Sequence, residues 1–306
     1  MIYEYAVDPS FFINIDKVEF ILASFGKGTG RLISEIKKDF WTNLVRETVN
    51  QSHNGPVKKH QLKEALRILS KKQKAIYCRQ QQVKATGWLE VTRQAHKGWP
   101  YRGILVEQYD GNDDHYLVKD IHIHEKRLWQ SDESVTVKRD VVAMVDALKP
   151  LLEISREIIL VDRHFRLEDY GGKPVDRFKN VLLGLLDFIA HKKYGSPVKK
   201  LTLHVGQAGQ SGGVQLINES VIKNIKGLCV KYLKDYIPAD FILEIVVWPW
   251  GELHDRLLIT ENGCVDLGQG SDEASIGTVT FKRLSSKDHV SNWKEFKQKK
   301  PGIILS

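Results

Sequence analysis

The feature that most restricts the fold lies in the second half of the chain, where continuous apolar runs alternate with amphipathic stretches. EIILVDRHF begins at residue 157, KLTLHV at 200 and FILEIVVWPW at 241. Each run is short and apolar on both faces of an extended chain, as a strand buried in a parallel sheet is. VDRFKNVLLGLLDFIAHKKYG and VQLINESVIKNIKGLCVKYLKD between them, and VVAMVDALKPLLEIS before them, repeat apolar residues at helical spacing. HDRLLITENGCVDLGQG closes the region as two short strands about the turn Asn262-Gly263. Such alternation predicts a mostly parallel sheet covered by helices, whose ligands gather at the carboxyl ends of the strands. Asp162, Arg163 and His164 end the first run, His204 ends the second, and Trp248 to His254 follow the third.

The first half differs in charge. The whole chain carries 46 Lys and Arg against 38 Asp and Glu, net +8, but residues 27–102 alone hold 17 bases against 5 acids, net +12. Clustered bases are what contacts to a phosphate backbone require. FGKGTGRLISEIKKDFWTNLVRE reads as a glycine turn opening a helix, with Leu32, Ile33, Ile36, Phe40, Leu44 and Val45 on its apolar side and Lys37 and Lys38 toward solvent. The glycines Gly26, Gly28 and Gly30 fit neither the P-loop spacing nor G-x-G-x-x-G, so a plain turn is expected. A second helix is predicted from Lys58 to Gln80. From 83 to 137, WLEVTRQ, YRGILVEQYD, HYLVKDIHIHEKRLW and SVTVKR read as antiparallel strands, placing His122 and His124 on one face without a third metal ligand. Residues 1–140 are thus expected to form a basic α+β domain that holds nucleic acid, with Lys37 and Lys38 among its contacts. Residues 141–306 are expected to form an α/β catalytic domain.

Cys78, Cys229 and Cys264 show no paired spacing, and no apolar run of membrane-spanning length is present. A cytoplasmic protein without cofactor, metal or membrane association is expected.

The chemistry is concentrated in His254-Asp255-Arg256-Leu-Leu-Ile-Thr-Glu261, followed by Gly268-Gln269-Gly270-Ser271-Asp272. On a strand, His254 and Arg256 share a face. A histidine beside a fixed cation suits a phosphate: the cation holds the nonbridging oxygens, neutral imidazole attacks phosphorus, and a carboxylate fixes its tautomer. With these spacings the segment resembles the phospholipase D superfamily, whose H-x-K-x4-D is followed, after six residues, by G-S-x-N. His254 matches the histidine, Arg256 stands for the lysine, Glu261 for the aspartate, Gly268 for the glycine, Gln269 for the serine and Ser271 for the asparagine. The resemblance covers about residues 150–275.

It implies a mixed sheet flanked by helices and a metal-independent phosphodiesterase that works through a phosphohistidine on His254. Arg256 and Glu261 would assist, with substrate contacts from Gly268, Ser271 and His164. Trp248, Trp250 and Phe165 fall near the same edge, where rings can stack on bases. Family members pair two motifs, so the single motif implies a homodimer, with His164 or His204 as a within-chain alternative. Combined with the basic segment, the expected activity is cleavage of DNA or RNA. Nucleases resembling this family occur in bacterial restriction and phage-defence systems, which supplies the expected context. The competing reading is a degenerate domain that binds nucleic acid or a protein partner without cutting, favoured by the altered Arg256, Glu261 and Gln269. Lipid headgroup hydrolysis finds no membrane-binding feature in the sequence.

Overall fold

Every residue from Leu32 to Ile36 is buried, so this stretch has no solvent face and is not the amphipathic helix that its spacing predicts. In the computed structural model Arg31–Glu35 is a strand; the structure describes residues 1–306 other than 110, 112, 120, 121, 196, 208–218, 250, 299–301 and 306. The chain divides into two compact units, Ile2–Glu133 and Ser134–Ser306 with Met1. Both are mixed α/β, each a sheet flanked by helices.

The first unit runs β1 (Tyr3–Val7), α1 (Ile15–Ser24), β2 (Arg31–Glu35), α2 (Phe40–Gln51), α3 (Pro56–Arg67), β3 (Ile76–Cys78), α4 (Trp88–Gly98), β4 (Gly103–Val106) and β5 (Tyr116–Val118). The sheet order is β3-β2-β1-β4-β5 and every pairing is parallel. Tyr5, Val7 and Ile33 face one core with Val18, Trp41 and Leu62, and Ala6, Ile104 and Val106 face a second core with Val91 and Ala95. Helices therefore cover both faces, and the α+β arrangement with antiparallel strands is corrected to a doubly wound parallel sheet. WLEVTRQ is the start of α4, which buries Val91, Thr92 and Ala95 at helical spacing. His122 and His124 lie at one turn of 3-10 helix and not on a strand face. The predicted second helix ends at Arg67, continues as a π-helical turn over Ile68–Lys72, and gives way to β3.

The glycine turn closes on itself through Gly26 N–H to Arg31 O (2.8 Å) and Arg31 N–H to Gly26 O (3.3 Å). It feeds the amino end of β2, so no helix begins there. Lys37 and Lys38 are exposed just past the carboxyl end of β2, and Lys63, Lys71 and Lys72 are exposed on α3 and the turn after it. Part of the +12 is internal. Arg79 is 2% exposed and paired with Glu4, while Arg31 and Arg102 donate to the carbonyls of Trp129 and Arg127.

The second unit runs β6 (Ser134–Lys138), α5 (Val141–Glu153), β7 (Glu157–Asp162), α6 (Asp176–Ala190), β8 (Lys200–Gly206), α7 (Glu219–Leu233), β9 (Ile242–Trp248), β10 (Arg256–Thr260), β11 (Gly263–Asp266), β12 (Thr278–Arg283), α8 (Ser286–Lys297) and β13 (Gly302–Leu305). The sheet order is β13-β9-β8-β7-β10-β11-β12-β6; β7, β8 and β9 are parallel and the other neighbours antiparallel. The three apolar runs are these parallel strands. Residues 214–218 of the predicted helix before β9 lie outside the described residues. SVTVKR, read with the first half, is β6 here and pairs with β12.

Strand β10 lies antiparallel to β7 with Arg256 opposite Asp162 and Leu257 opposite Val161. Period-two alternation therefore puts Arg256 and Asp162 on one face. Ile159, Val161, Val246, Leu257 and Ile259 share the other face with Phe296 of α8. Among the described residues no helix is long and apolar enough to cross a membrane.

Candidate anion site at the carboxyl edge of the second sheet

Asp162, the last residue of β7, is fully buried and organises the edge. Its Oδ1 accepts the His164 backbone N–H at 2.9 Å, and its Oδ2 accepts both the N–H and the hydroxyl of Ser271, each at 2.8 Å. One carboxylate thus ties the end of β7 to the loop after β11. Glycine is required in that loop. Gly268 has φ +58° and Gly270 has φ +123°, and a Cβ on Gly270 would stand 3.0 Å from Asp162 Oδ2 and 3.4 Å from Arg256 Cδ. The backbone can approach the site only because those side chains are missing.

Arg163 follows Asp162 and lies between the two histidines. Its Nε donates to His164 Nε2 at 2.8 Å, and its Nη1 lies 3.4 Å from His254 Nδ1. Arg256 reaches the Gly268 carbonyl through Nη1 at 3.1 Å. Asp272 is ion-paired with Arg139 and, at 3.5 Å, with Arg177, and Arg139 also bonds the Gln269 side chain at 3.1 Å. Burial, then the charges of Arg163 and Arg256, hold the His164 imidazole below its usual range. A neutral ring is what its bond to Arg163 needs, because imidazolium has no lone pair to accept the Nε–H. A guanidinium likewise only donates, so the orientation of Arg163 favours His254 with a bare Nδ1 and a proton on Nε2.

The pH consequence has a definite sign. Unfolded His164 takes a proton near its ordinary ~6.5, whereas the folded ring takes it only at lower pH, so the unfolded state binds more protons in that window. Stability should fall as pH is lowered from about 7 through that window. His164→Gln should flatten this dependence, which urea unfolding at several pH values checks.

The structure places the predicted residues unevenly. His254, Arg256, His164, Gly268 and Ser271 come together. Glu261 does not: its carboxylate accepts the backbone N–H groups of Arg156 (2.8 Å) and Glu157 (3.4 Å) at the start of β7, the far end of the strand pair. Burial pushes its carboxyl above the usual range, against the pull of those N–H groups. Seven residues of extended chain span roughly 20 Å, so Glu261 and His254 lie at opposite ends of the same strand. Glu261→Ala should lower stability by about 0.5–1.5 kcal/mol through the loss of its hydrogen bonds to the start of β7, and leave anion affinity unchanged. Urea unfolding and phosphate titration separate the two effects.

His204 is 1% exposed on the opposite face, where its Nδ1 accepts the Trp248 indole N–H at 2.8 Å, so it supplies no acid to this edge. Trp248 is buried against His204 and Phe296, so it presents no face to an exposed base, and Phe165 packs against Phe178. Trp250 lies outside the described residues. Lys37 and Lys38 belong to the first unit. Asp162 and Arg163, read from the sequence only as polar residues closing a strand, turn out to be its organisers. Arg139 and Arg177 carry no sequence signal, and Asp272 stands in the sequence only as the close of the segment after the histidine motif. Among the described residues no group of three or more His, Cys, Asp or Glu could hold a metal ion.

Fold and site together define an α/β unit whose strand ends gather arginines and two histidines around an anchored carboxylate. No family model matches the chain, and no curated protein matches it. Among solved structures, one match is to TrmBL2, an archaeal chromatin protein whose structure shows a novel mode of DNA binding, with 14% identity and a TM-score of 0.26. It covers 55% of this chain and 52% of that one, so the chain spans about half the length of that protein, and at this score the likeness carries no argument.

Proposed function

We propose that the second unit is a phospholipase D-like domain that binds phosphodiesters of nucleic acid at the carboxyl edge of β7. The observation that carries this reading is the Arg163 guanidinium set between His164 Nε2 and His254 Nδ1 beside Arg256. Two guanidinium groups at one strand end, with imidazoles beside them, suit the oxygens of a phosphodiester. Nucleic acid is the ligand class because residues 27–102 carry the +12 excess, including exposed Lys37 and Lys38.

Cleavage is the second reading, favoured by the spacing of His254, Arg256 and Gly268. It requires His254 to present a lone pair at Nε2, attack phosphorus and form a phosphohistidine while a second acid protonates the leaving oxygen. That acid would come from a second subunit, as the single motif implies, or from His164 once Arg163 has turned to the substrate. Binding is preferred because Arg163 directs the His254 lone pair away from Nε2.

The test incubates the full chain in EDTA with plasmid, single-stranded DNA and RNA, following retention and cleavage on gels. Retention that weakens with salt, without cleavage, is expected. Cleavage that survives EDTA and vanishes in His254→Ala would establish the second reading. Neither retention nor cleavage would defeat both.

A further inference from the structure

Next to the anion site, and on the same face of the sheet, the second unit encloses a cavity of about 470 Å³. Its floor is Leu203, Val205 and Ile245 of the sheet. One wall is the stripe Val221, Asn224, Ile225, Leu228 and Cys229 of α7, which follows the i, i+3, i+4, i+7, i+8 pattern of one helix face. The other wall is Phe165 to Tyr170, the residues that directly follow His164. Cavity and anion site meet at Gly206, where a Cβ would stand 2.7 Å from the Arg163 carbonyl oxygen. This volume falls within the usual range for small-molecule sites.

The lining is not that of a hydrocarbon slot. Arg166, Glu168, Asp169 and Asn224 border the apolar floor, and the Nε–H of Arg166 is buried without a hydrogen-bond partner among the described residues. Glu168 is already held by Lys231 and Tyr232, and Asp169 by the N–H groups of Gly171 and Lys173, so Arg166 is the group that an acyl chain would leave unanswered, whereas a flat heteroaromatic ring offers both an apolar face and an acceptor edge. Resting on the phosphodiester reading above, we infer that this cavity receives the base of a nucleotide whose phosphate lies at Arg163 and His254. A base stacked within a duplex cannot enter without being unstacked, so the ligand is a single-stranded or terminal nucleotide.

Isothermal titration of the full chain at low ionic strength with adenosine 5′-monophosphate, ribose 5-phosphate and inorganic phosphate tests this. Adenosine monophosphate should bind at least about tenfold more tightly than ribose 5-phosphate, the scale of one stacked base. Leu228→Trp, which fills the cavity, should abolish that advantage and keep phosphate binding. Asn224→Trp, at an exposed position on the rim, should do the same and serves if Leu228→Trp does not fold. Equal affinity for the two sugar phosphates, or an advantage that persists in the folded Trp variants, would overturn the base pocket while leaving the anion site standing. Failure of all three probes to bind would overturn both.

Discussion

Asp162→Ala is expected to remove anion binding and to lower stability by about 3–5 kcal/mol, the largest effect at the site. The carboxylate is fully buried and accepts three hydrogen bonds, from the His164 N–H and from the N–H and hydroxyl of Ser271. Alanine leaves three donors buried without an acceptor, each worth about 1–3 kcal/mol when orphaned. It also frees the loop that carries Gly268 and Gly270 and the turn that carries Arg163. Asp162→Asn keeps the shape but sets an amide N–H₂ against at least one of those donors, so an intermediate loss is expected. Urea unfolding and phosphate titration report the two quantities. A stability loss under about 1 kcal/mol would mean that the loop and strand end are held together by something else.

The second large effect lies in the first unit. Arg79→Ala should cost about 3–5 kcal/mol, because it leaves Glu4 charged and unpaired in the interior. Arg79 donates to Glu4 through Nε (2.9 Å) and Nη2 (2.5 Å) and to the Trp99 carbonyl through Nη1 (2.5 Å). Its guanidinium packs 4.2 Å from the Trp99 ring centre and 3.7 Å from that of Tyr101. The pair spans the amino end of β1 and the chain just past β3, so its loss loosens the sheet at both places. Glu4→Leu combined with Arg79→Met should recover most of the stability, since well-packed apolar residues replace buried ion pairs at little cost. Thermal unfolding of the single and double variants is the check. If the double variant were as unstable as Arg79→Ala, the loss would stem from packing rather than from an uncompensated charge.

The second unit was legible because its parallel strands are buried on both faces and write continuous apolar runs, which helices of clear period separate. The same burial concealed the first unit. Leu32 and Ile33 belong to a strand covered on both sides and Ile36 follows it directly, yet with Phe40 and Leu44 of the following helix their spacing imitates a single helix. Strands β3 and β5, three residues each, are too short to show a period. At the site, His254 and Arg256 were readable because two residues on one strand face need no tertiary information. Glu261 was misplaced because a motif counts residues, whereas an extended strand carries the seventh one to the other end of the sheet. Arg163 and Asp162 matter through the pairing of β7 with β10, a register of 94 residues between Asp162 and Arg256 that no local pattern encodes.

The most direct test of the phosphodiester site is the fluorescence anisotropy of a labelled single-stranded ten-nucleotide probe, titrated in EDTA with wild type and with Arg163→Ala/Arg256→Ala over a range of salt. The double variant should fold as wild type does, bind more than tenfold more weakly at low salt, and show a salt slope shallower by about 1.4, at about 0.7 for each of two lost phosphate contacts. Wild-type affinity and an unchanged slope in the double variant would contradict the account, because the nucleic acid would then be held elsewhere on the chain.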